Sequence, residues 1–107
     1  MSVAANRYAK ALMDVLYPDN AEAGFEQLQR FARVLRDVPD AARILENPTI
    51  SADRRKALVT EITNTLAVHG TVRNFLDLLV ERNRLNLIDE IIPAYERSEE
   101  HTSELQS

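Results

Sequence analysis

Apolar residues recur every three or four positions along almost the whole chain, and no stretch alternates apolar and polar residues as a half-buried strand does. Only two glycines and four prolines are present, so few positions interrupt this periodicity. The short breaks that do occur divide it into six helical segments. The pattern therefore predicts an all-α fold, a compact bundle of six short helices.

Capping residues mark the predicted helix boundaries. Ser2 is suited to cap the first helix and Ser51 the fourth, because a serine hydroxyl accepts from the backbone N–H groups that a helix start leaves unpaired. Pro39 suits the first turn of the third helix. Gly70 is expected to cap the end of the fourth helix, and the sixth helix is expected to begin at about Leu85.

Two helices carry more apolar residues than one buried face needs. The fifth predicted helix, TVRNFLDLLVERN, is apolar nearly all round, with only Arg73, Asp77, Glu81 and Arg82 to face water. The first predicted helix has two apolar stripes: Tyr8, Ala11, Leu12 and Val15 form one, and Ala5, Ala9, Met13 and Leu16 form the other. Side by side, the two helices would leave an apolar groove suited to an amphipathic helix from another protein. The alternative is that both faces are core.

Composition narrows the class of protein. The chain has 107 residues, enough for one small domain, and 45% of them are hydrophobic, which is ample for a core. It has no cysteine, so disulfides and thiolate metal sites are excluded. We found neither a signal peptide nor an apolar run long enough to span a membrane. The net charge of −4 on a mixed-charge chain argues against nucleic-acid binding.

The sequence offers no constellation for catalysis, and we predict no catalytic residue, no cofactor and no metal. His69 is expected to lie at a helix end without a chemical role. The only His-x-x-Glu spacing, His101 to Glu104, lies in the last eleven residues. The basic run Asp53-Arg54-Arg55-Lys56 is interpreted as a solvated helix face, with contact to an acidic partner as the alternative.

Three stretches resemble a known family in order and spacing: RYAKALMDVL at residues 7–16, LENPTIS at 45–51, and NFLDLLVERNRLNLIDEIIPAYE at 74–96. Together they resemble the delta subunit of bacterial rotary ATP synthase, whose mitochondrial counterpart is the oligomycin-sensitivity-conferral protein. The resemblance covers residues 3–96. It implies a six-helix N-terminal domain, in agreement with the helix count above.

The resemblance also implies a role. In that family the domain binds the N-terminal helix of an alpha subunit in a groove between its first and fifth helices, and a second domain, missing from this sequence, engages the stalk's b subunits. Such a subunit is non-catalytic and is peripheral to the bacterial membrane on the cytoplasmic side, where its association with the membrane is indirect. A free-standing helical adaptor is the alternative. By position, the groove residues are expected to be Tyr8, Ala11, Leu12, Val15, Asn74, Phe75 and Leu78.

The last eleven residues, RSEEHTSELQS, differ in character from the rest. All eleven match the in-frame translation of a common sequencing adapter, and they begin where the resemblance stops. We therefore expect residues 1–96 to form the domain and residues 97–107 to be a non-native tail. On this interpretation the histidine and the three glutamates of the tail belong to no site.

Overall fold

The computed structural model describes the backbone of residues 2–68 and 70–106, and the side chains of residues 2–68 and 70–98. Over these residues the secondary structure is helical, which confirms the predicted all-α bundle of six helices. A 3-10 helix, Leu85–Leu87, precedes the last of them. The six are α1 (Val3–Leu16), α2 (Ala21–Asp37), α3 (Pro39–Glu46), α4 (Ala52–Thr65), α5 (Thr71–Glu81) and α6 (Ile88–Gln106).

The predicted serine caps are confirmed. The Oγ of Ser2 accepts from the backbone N–H of Ala5 at 3.0 Å, and the Oγ of Ser51 accepts from that of Arg54 at 3.2 Å. Pro39 is the first residue of α3, where its missing N–H costs nothing because that donor would be unpaired anyway. These local signals set where three of the helices begin.

The predicted end of α4 is wrong. The helix ends at Thr65, and Gly70 instead precedes the first residue of α5. The left-handed residue that closes α4 is Ala67, with φ of 57°. The N–H of Val68 bonds to the carbonyl of Thr63 at 2.8 Å, which together with a bond from Ala67 N–H to Asn64 forms a Schellman motif. A glycine was expected at such a position, and an alanine occupies it.

The end of α5 repeats this motif with a better suited residue. Asn83 has φ of 56°, and the N–H of Arg84 bonds to the carbonyl of Leu79 at 2.8 Å. Asparagine tolerates the left-handed conformation more readily than most residues other than glycine. The motif turns the chain directly into Leu85–Leu87, so α6 begins three residues later than expected.

The core lies around α6, which packs against α1 and α2. The side chain of Tyr95 is fully buried, stacks on the ring of Phe25 with centroids 5.5 Å apart, and donates its hydroxyl to the carbonyl of Ala21 at 2.6 Å. A buried tyrosine needs such a partner for its hydroxyl. On α1 the buried residues are Ala5, Ala9, Leu12, Met13 and Leu16.

Candidate partner-binding groove

Helices α1 and α5 lie side by side and antiparallel. The N-terminal half of α1 shares a cavity with Leu78 and Arg82 at the end of α5, whereas Leu16 at the end of α1 shares another with Thr71 at the start of α5. Midway, the rings of Tyr8 and Phe75 meet edge-on with centroids 6.3 Å apart. The pairing of the first and fifth helices that the groove requires is therefore present.

A groove of about 450 Å³ opens between the N-terminal part of α1 and the end of α5. Its lining combines small and large apolar groups with three cations: Val3, Ala4, Arg7, Tyr8, Ala11, Leu78, Arg82 and Arg84. Tyr8 and Leu78 are half-buried and form its walls, while Ala11 is exposed. We refer to this cavity, with these eight residues, as the α1–α5 groove.

The outward face of α1 continues the apolar surface beyond the groove. Ala4, Tyr8, Ala11 and Val15 are spaced four, three and four residues apart, the spacing of a helix seam that packs against another helix. Val15 is 67% exposed, so the C-terminal end of this stripe is open to solvent, and Val3, which precedes the stripe, is 68% exposed. An apolar stripe that is partly open to solvent along one helix face is typical of a surface that another chain covers.

The seven predicted groove residues fall into three groups. Tyr8, Ala11 and Leu78 line the α1–α5 groove. Leu12 and Phe75 are 2% and 7% exposed and belong to the core, so they support the groove from beneath rather than offer surface to a partner. Val15 and Asn74 are exposed but lie outside the groove lining.

The apolar surplus of the fifth helix is therefore mostly core. Val72, Phe75, Leu76, Leu79 and Val80 are buried, and only Leu78 among its large apolar residues is half-exposed. On α1 the stripe of Ala5, Ala9, Met13 and Leu16 faces the core, whereas the other stripe faces outward except at Leu12. The core interpretation thus holds for the inward faces, whereas a partner for the outward face of α1 stays a prediction.

Five groove residues were missed from sequence: Val3, Ala4, Arg7, Arg82 and Arg84. Ala4 was within reach of pattern analysis, since it precedes Tyr8 by one helical turn. The three arginines could not be predicted in this way, because a charged residue at a helix end is normally expected to face solvent. Only the antiparallel pairing brings a cation near the start of α1 to two cations that follow α5.

A buried arginine braces the end of α5. Arg55 of α4 is 4% exposed, and its Nη1 donates to the carbonyl of Val80 and to Oδ1 of Asn83, both at 3.0 Å. Its Nε donates to the carbonyl of Ile50 at 2.9 Å. The interpretation of residues 53–56 as a solvated face is thus wrong at Arg55. A positive charge on the last carbonyls of a helix also complements the helix dipole.

The pKa values of two carboxyl groups on α5 are shifted in opposite directions by their surroundings. Nζ of Lys56 donates to Oε1 of Glu81, and this bond lowers the pKa of the Glu81 carboxyl and raises the pKa of the lysine. Burial raises the pKa of the Asp77 carboxyl, against the attraction of Lys56 and Arg73. Oδ1 of Asp77 is buried and has no hydrogen-bond partner among the described residues. Asp77, expected to face water, is half-buried.

The described side chains show no group of three histidine, cysteine or acidic residues that could hold a metal ion. His69 lies outside the described residues, as do the side chains of His101 and Glu104. Within the part of the chain that the structure describes, no helix is both long and apolar enough to cross a membrane.

Over the described residues the chain is an all-α bundle with an open, largely apolar groove between two antiparallel helices. The model of the ATP synthase delta (OSCP) subunit family matches residues 4–106, and the chain belongs to that family. It is 35% identical over 92 residues to ATP synthase subunit delta 1 of Syntrophotalea carbinolica, covering 85% of this chain and 51% of that subunit. It is 30% identical over 96 residues to the chloroplastic delta subunit of Arabidopsis thaliana, covering 89% of this chain and 41% of that subunit. The chain spans about half the length of the curated relatives it matches.

Proposed function

We propose that this chain is a non-catalytic, peripheral-stalk part of a rotary ATP synthase, and that its α1–α5 groove receives the N-terminal helix of an alpha subunit. The observation that carries the proposal is the partly exposed apolar stripe of α1, which runs from Ala4 to Val15 beside the half-buried Leu78. The membership of the delta family supports the choice of partner.

The dimensions of the stripe suit a short guest helix. Ala4 and Val15 are eleven residues apart on α1, which corresponds to about 16 Å at 1.5 Å per residue, or three turns of a helix lying alongside. Ala4 and Ala11 leave space for the guest backbone to approach closely, while Tyr8 and Val15 supply contact area. Burial of each large apolar side chain contributes roughly 1.5 to 3 kcal/mol before the costs of association are subtracted.

The function of such a joint is mechanical. A rotary enzyme works only if its catalytic head is held against the torque of the rotor, and a peripheral stalk holds it. A preformed groove that accepts one helix gives a stable attachment without reactive groups. Contacts with the stalk's b subunits would fall to sequence beyond the region that the relatives share with this chain. The subunit would then be held at the cytoplasmic side of a bacterial membrane through the rest of the enzyme.

Isothermal titration with a synthetic peptide from an alpha-subunit N-terminus tests the proposal. Ala11→Glu places a carboxylate in the groove and should abolish measurable binding. Ala57→Glu is the matched control, because Ala57 is also an exposed alanine inside a helix but lies on α4, away from the groove. Equal loss of binding in both variants, or no binding by the unmodified chain, would contradict the proposal.

A further inference from the structure

Three arginines surround one end of the α1–α5 groove. Arg7 approaches it from α1, and Arg82 and Arg84 approach it from the turn that follows α5. None of the described residues that line the groove is acidic, although the chain as a whole carries a net charge of −4. The local charge is thus opposite in sign to that of the chain.

The backbone of the turn that carries Arg82 and Arg84 is held by hydrogen bonds. The Schellman motif holds the turn through the bond from Arg84 N–H to the carbonyl of Leu79. Arg55 braces the same turn from within, through its bonds to Val80 and Asn83. The backbone that carries these cations is therefore set before any partner arrives, which lowers the entropy cost of binding.

The three guanidinium groups form no ion pair with a carboxylate among the described side chains. Among the described side chains, no hydrogen bond or ion pair joins Arg7, Arg82 or Arg84 to an acidic residue, and all three are exposed. The carboxylate of Glu81, next to Arg82, is bonded to Lys56 instead. The arginines therefore remain available to an acidic group from outside.

The cavity at the opposite end of the α1–α5 pair has no such cluster of cations in its described lining. Among the described residues, those that line the cavity beside Leu16 are neutral, and its polar members are Asn20, Gln27 and Thr71. A guest helix that lies along α1 thus meets the arginine cluster at one end and no such cluster in the described lining of the cavity at the other. Charge arranged in this way across an interface contributes more to specificity and register than to raw affinity.

We propose that the cluster of Arg7, Arg82 and Arg84 binds acidic side chains of the guest helix, and that this contact fixes the direction in which the helix lies along the groove. The proposal rests on the proposed function, since it assumes that a helix occupies the groove. It adds that the acidic segment of the guest overlies the N-terminal part of α1.

A double-mutant cycle with the full chain tests the contact. The probe is a synthetic alpha-subunit N-terminal peptide that contains acidic residues, together with a version in which Gln and Asn replace them. Arg82→Gln/Arg84→Gln should weaken binding of the acidic peptide by about two- to tenfold at low salt, and much less at high salt, because exposed charge pairs are screened. The same variant should bind the neutral peptide as well as the unmodified chain does.

Arg33→Gln/Arg36→Gln is the matched control, since it removes the same charge from exposed arginines of α2 outside the groove. If Arg82→Gln/Arg84→Gln alters the helical circular dichroism, Arg7→Gln on α1 serves in its place. Peptide binding that both double variants weaken equally, or that neither weakens, overturns the arginine contact and leaves the proposed function standing. Absence of binding by the unmodified chain overturns both.

A nitroxide spin label, attached to the peptide next to its acidic residues, reports the direction in which the guest helix lies along the groove. We expect it to broaden the amide resonances of Ala4 and Arg82 more strongly than those of Val15 and Asn74. Stronger broadening of Val15 and Asn74 would show that the helix lies the other way round and would overturn the inferred direction.

Discussion

The ring of Tyr8 meets the ring of Phe75 edge-on, with centroids 6.3 Å apart and planes inclined at 72°. This contact joins α1 to α5, and it connects a half-buried wall of the α1–α5 groove to a buried residue of the core. The groove and the core are consequently parts of one packing arrangement.

Phe75→Ala should lower the free energy of unfolding by about 3 to 5 kcal/mol, because it removes a large side chain from a closely packed site. Tyr8→Leu keeps the apolar volume and loses mainly the ring contact, so we expect a loss of about 0.5 to 1.5 kcal/mol. Urea denaturation followed by circular dichroism measures both. A Phe75→Ala variant as stable as the unmodified chain would show that Phe75 is not core.

Ala67→Gly should stabilise the domain by about 1 kcal/mol. Ala67 has φ of 57°, a conformation in which its Cβ is crowded by backbone and glycine is not. The control is Ala57→Gly, the same substitution inside α4, which should destabilise by about 0.5 to 1 kcal/mol because glycine is a poor helix former. Thermal denaturation should therefore show shifts of opposite sign, and shifts of the same sign would contradict the left-handed assignment.

Arg55→Met should destabilise the domain by about 2 to 4 kcal/mol. The buried carbonyl of Val80 and the side chain of Asn83 lose the donor that now satisfies them, and methionine offers none. Arg54→Met changes the exposed neighbour and should stay within about 0.5 kcal/mol of the unmodified chain. Chemical denaturation measures both, and similar effects of the two substitutions would indicate that Arg55 is solvated after all.

The pH dependence of stability should separate the two carboxylates of α5. Burial raises the pKa of the Asp77 carboxyl above 3.8, so the folded state binds the carboxyl proton more tightly than the unfolded state does. The free-energy cost of ionising the buried carboxyl is therefore present at neutral pH and absent below pH 3.8. Asp77→Asn should therefore raise the melting temperature at pH 7, with an advantage that shrinks as the pH falls through the raised pKa and is gone below pH 3.8.

Glu81→Gln should lower the melting temperature at pH 7, the opposite of the effect expected for Asp77→Asn. The bond from Lys56 lowers the pKa of Glu81 below 4.5, so its contribution to stability is present above pH 4.5 and is lost as the pH falls through the lowered pKa. The variant should melt below the unmodified chain at pH 7 and match it in acid. Melting curves from pH 7 to pH 3 check both, and parallel pH profiles for the two variants would be the contrary result.

The helices were predictable because their signals are local. Serine hydroxyls at Ser2 and Ser51 and the proline at Pro39 act within one turn of where they stand in the sequence. Helical periodicity likewise revealed both apolar stripes of α1. It could not decide which stripe faces inward, since that depends on where α6 lies.

The remaining errors share a non-local cause. Arg55 lies in a basic run, and only the end of α5, some 25 residues further along the chain, makes its burial favourable. Ala67 adopts a conformation that its own side chain disfavours, because the packing on either side of the turn outweighs that cost. Arg7, Arg82 and Arg84 share a groove only because α1 and α5 are antiparallel.

The non-native origin of residues 97–107 stays a prediction. The backbone of α6 continues through Gln106, and the family match extends to the same residue. A short polar extension can prolong a helix whatever its source, so the backbone of α6 does not test the origin of the segment. The bounds of the family match do not test it either. Sequencing of the intact gene decides the matter: native codons for RSEEHTSELQS would contradict the prediction.

The central claim, that an alpha-subunit helix occupies the α1–α5 groove, is tested most directly by titrating the 15N-labelled chain with the alpha-subunit peptide. We predict that the amide shifts concentrate on the outward face of α1, at Tyr8, Ala11 and Val15, and on α5 near Leu78. Shifts concentrated on the apolar patch between α2 and α4, at Val34, Leu58 and Ile62, or no shifts at all, would contradict the account.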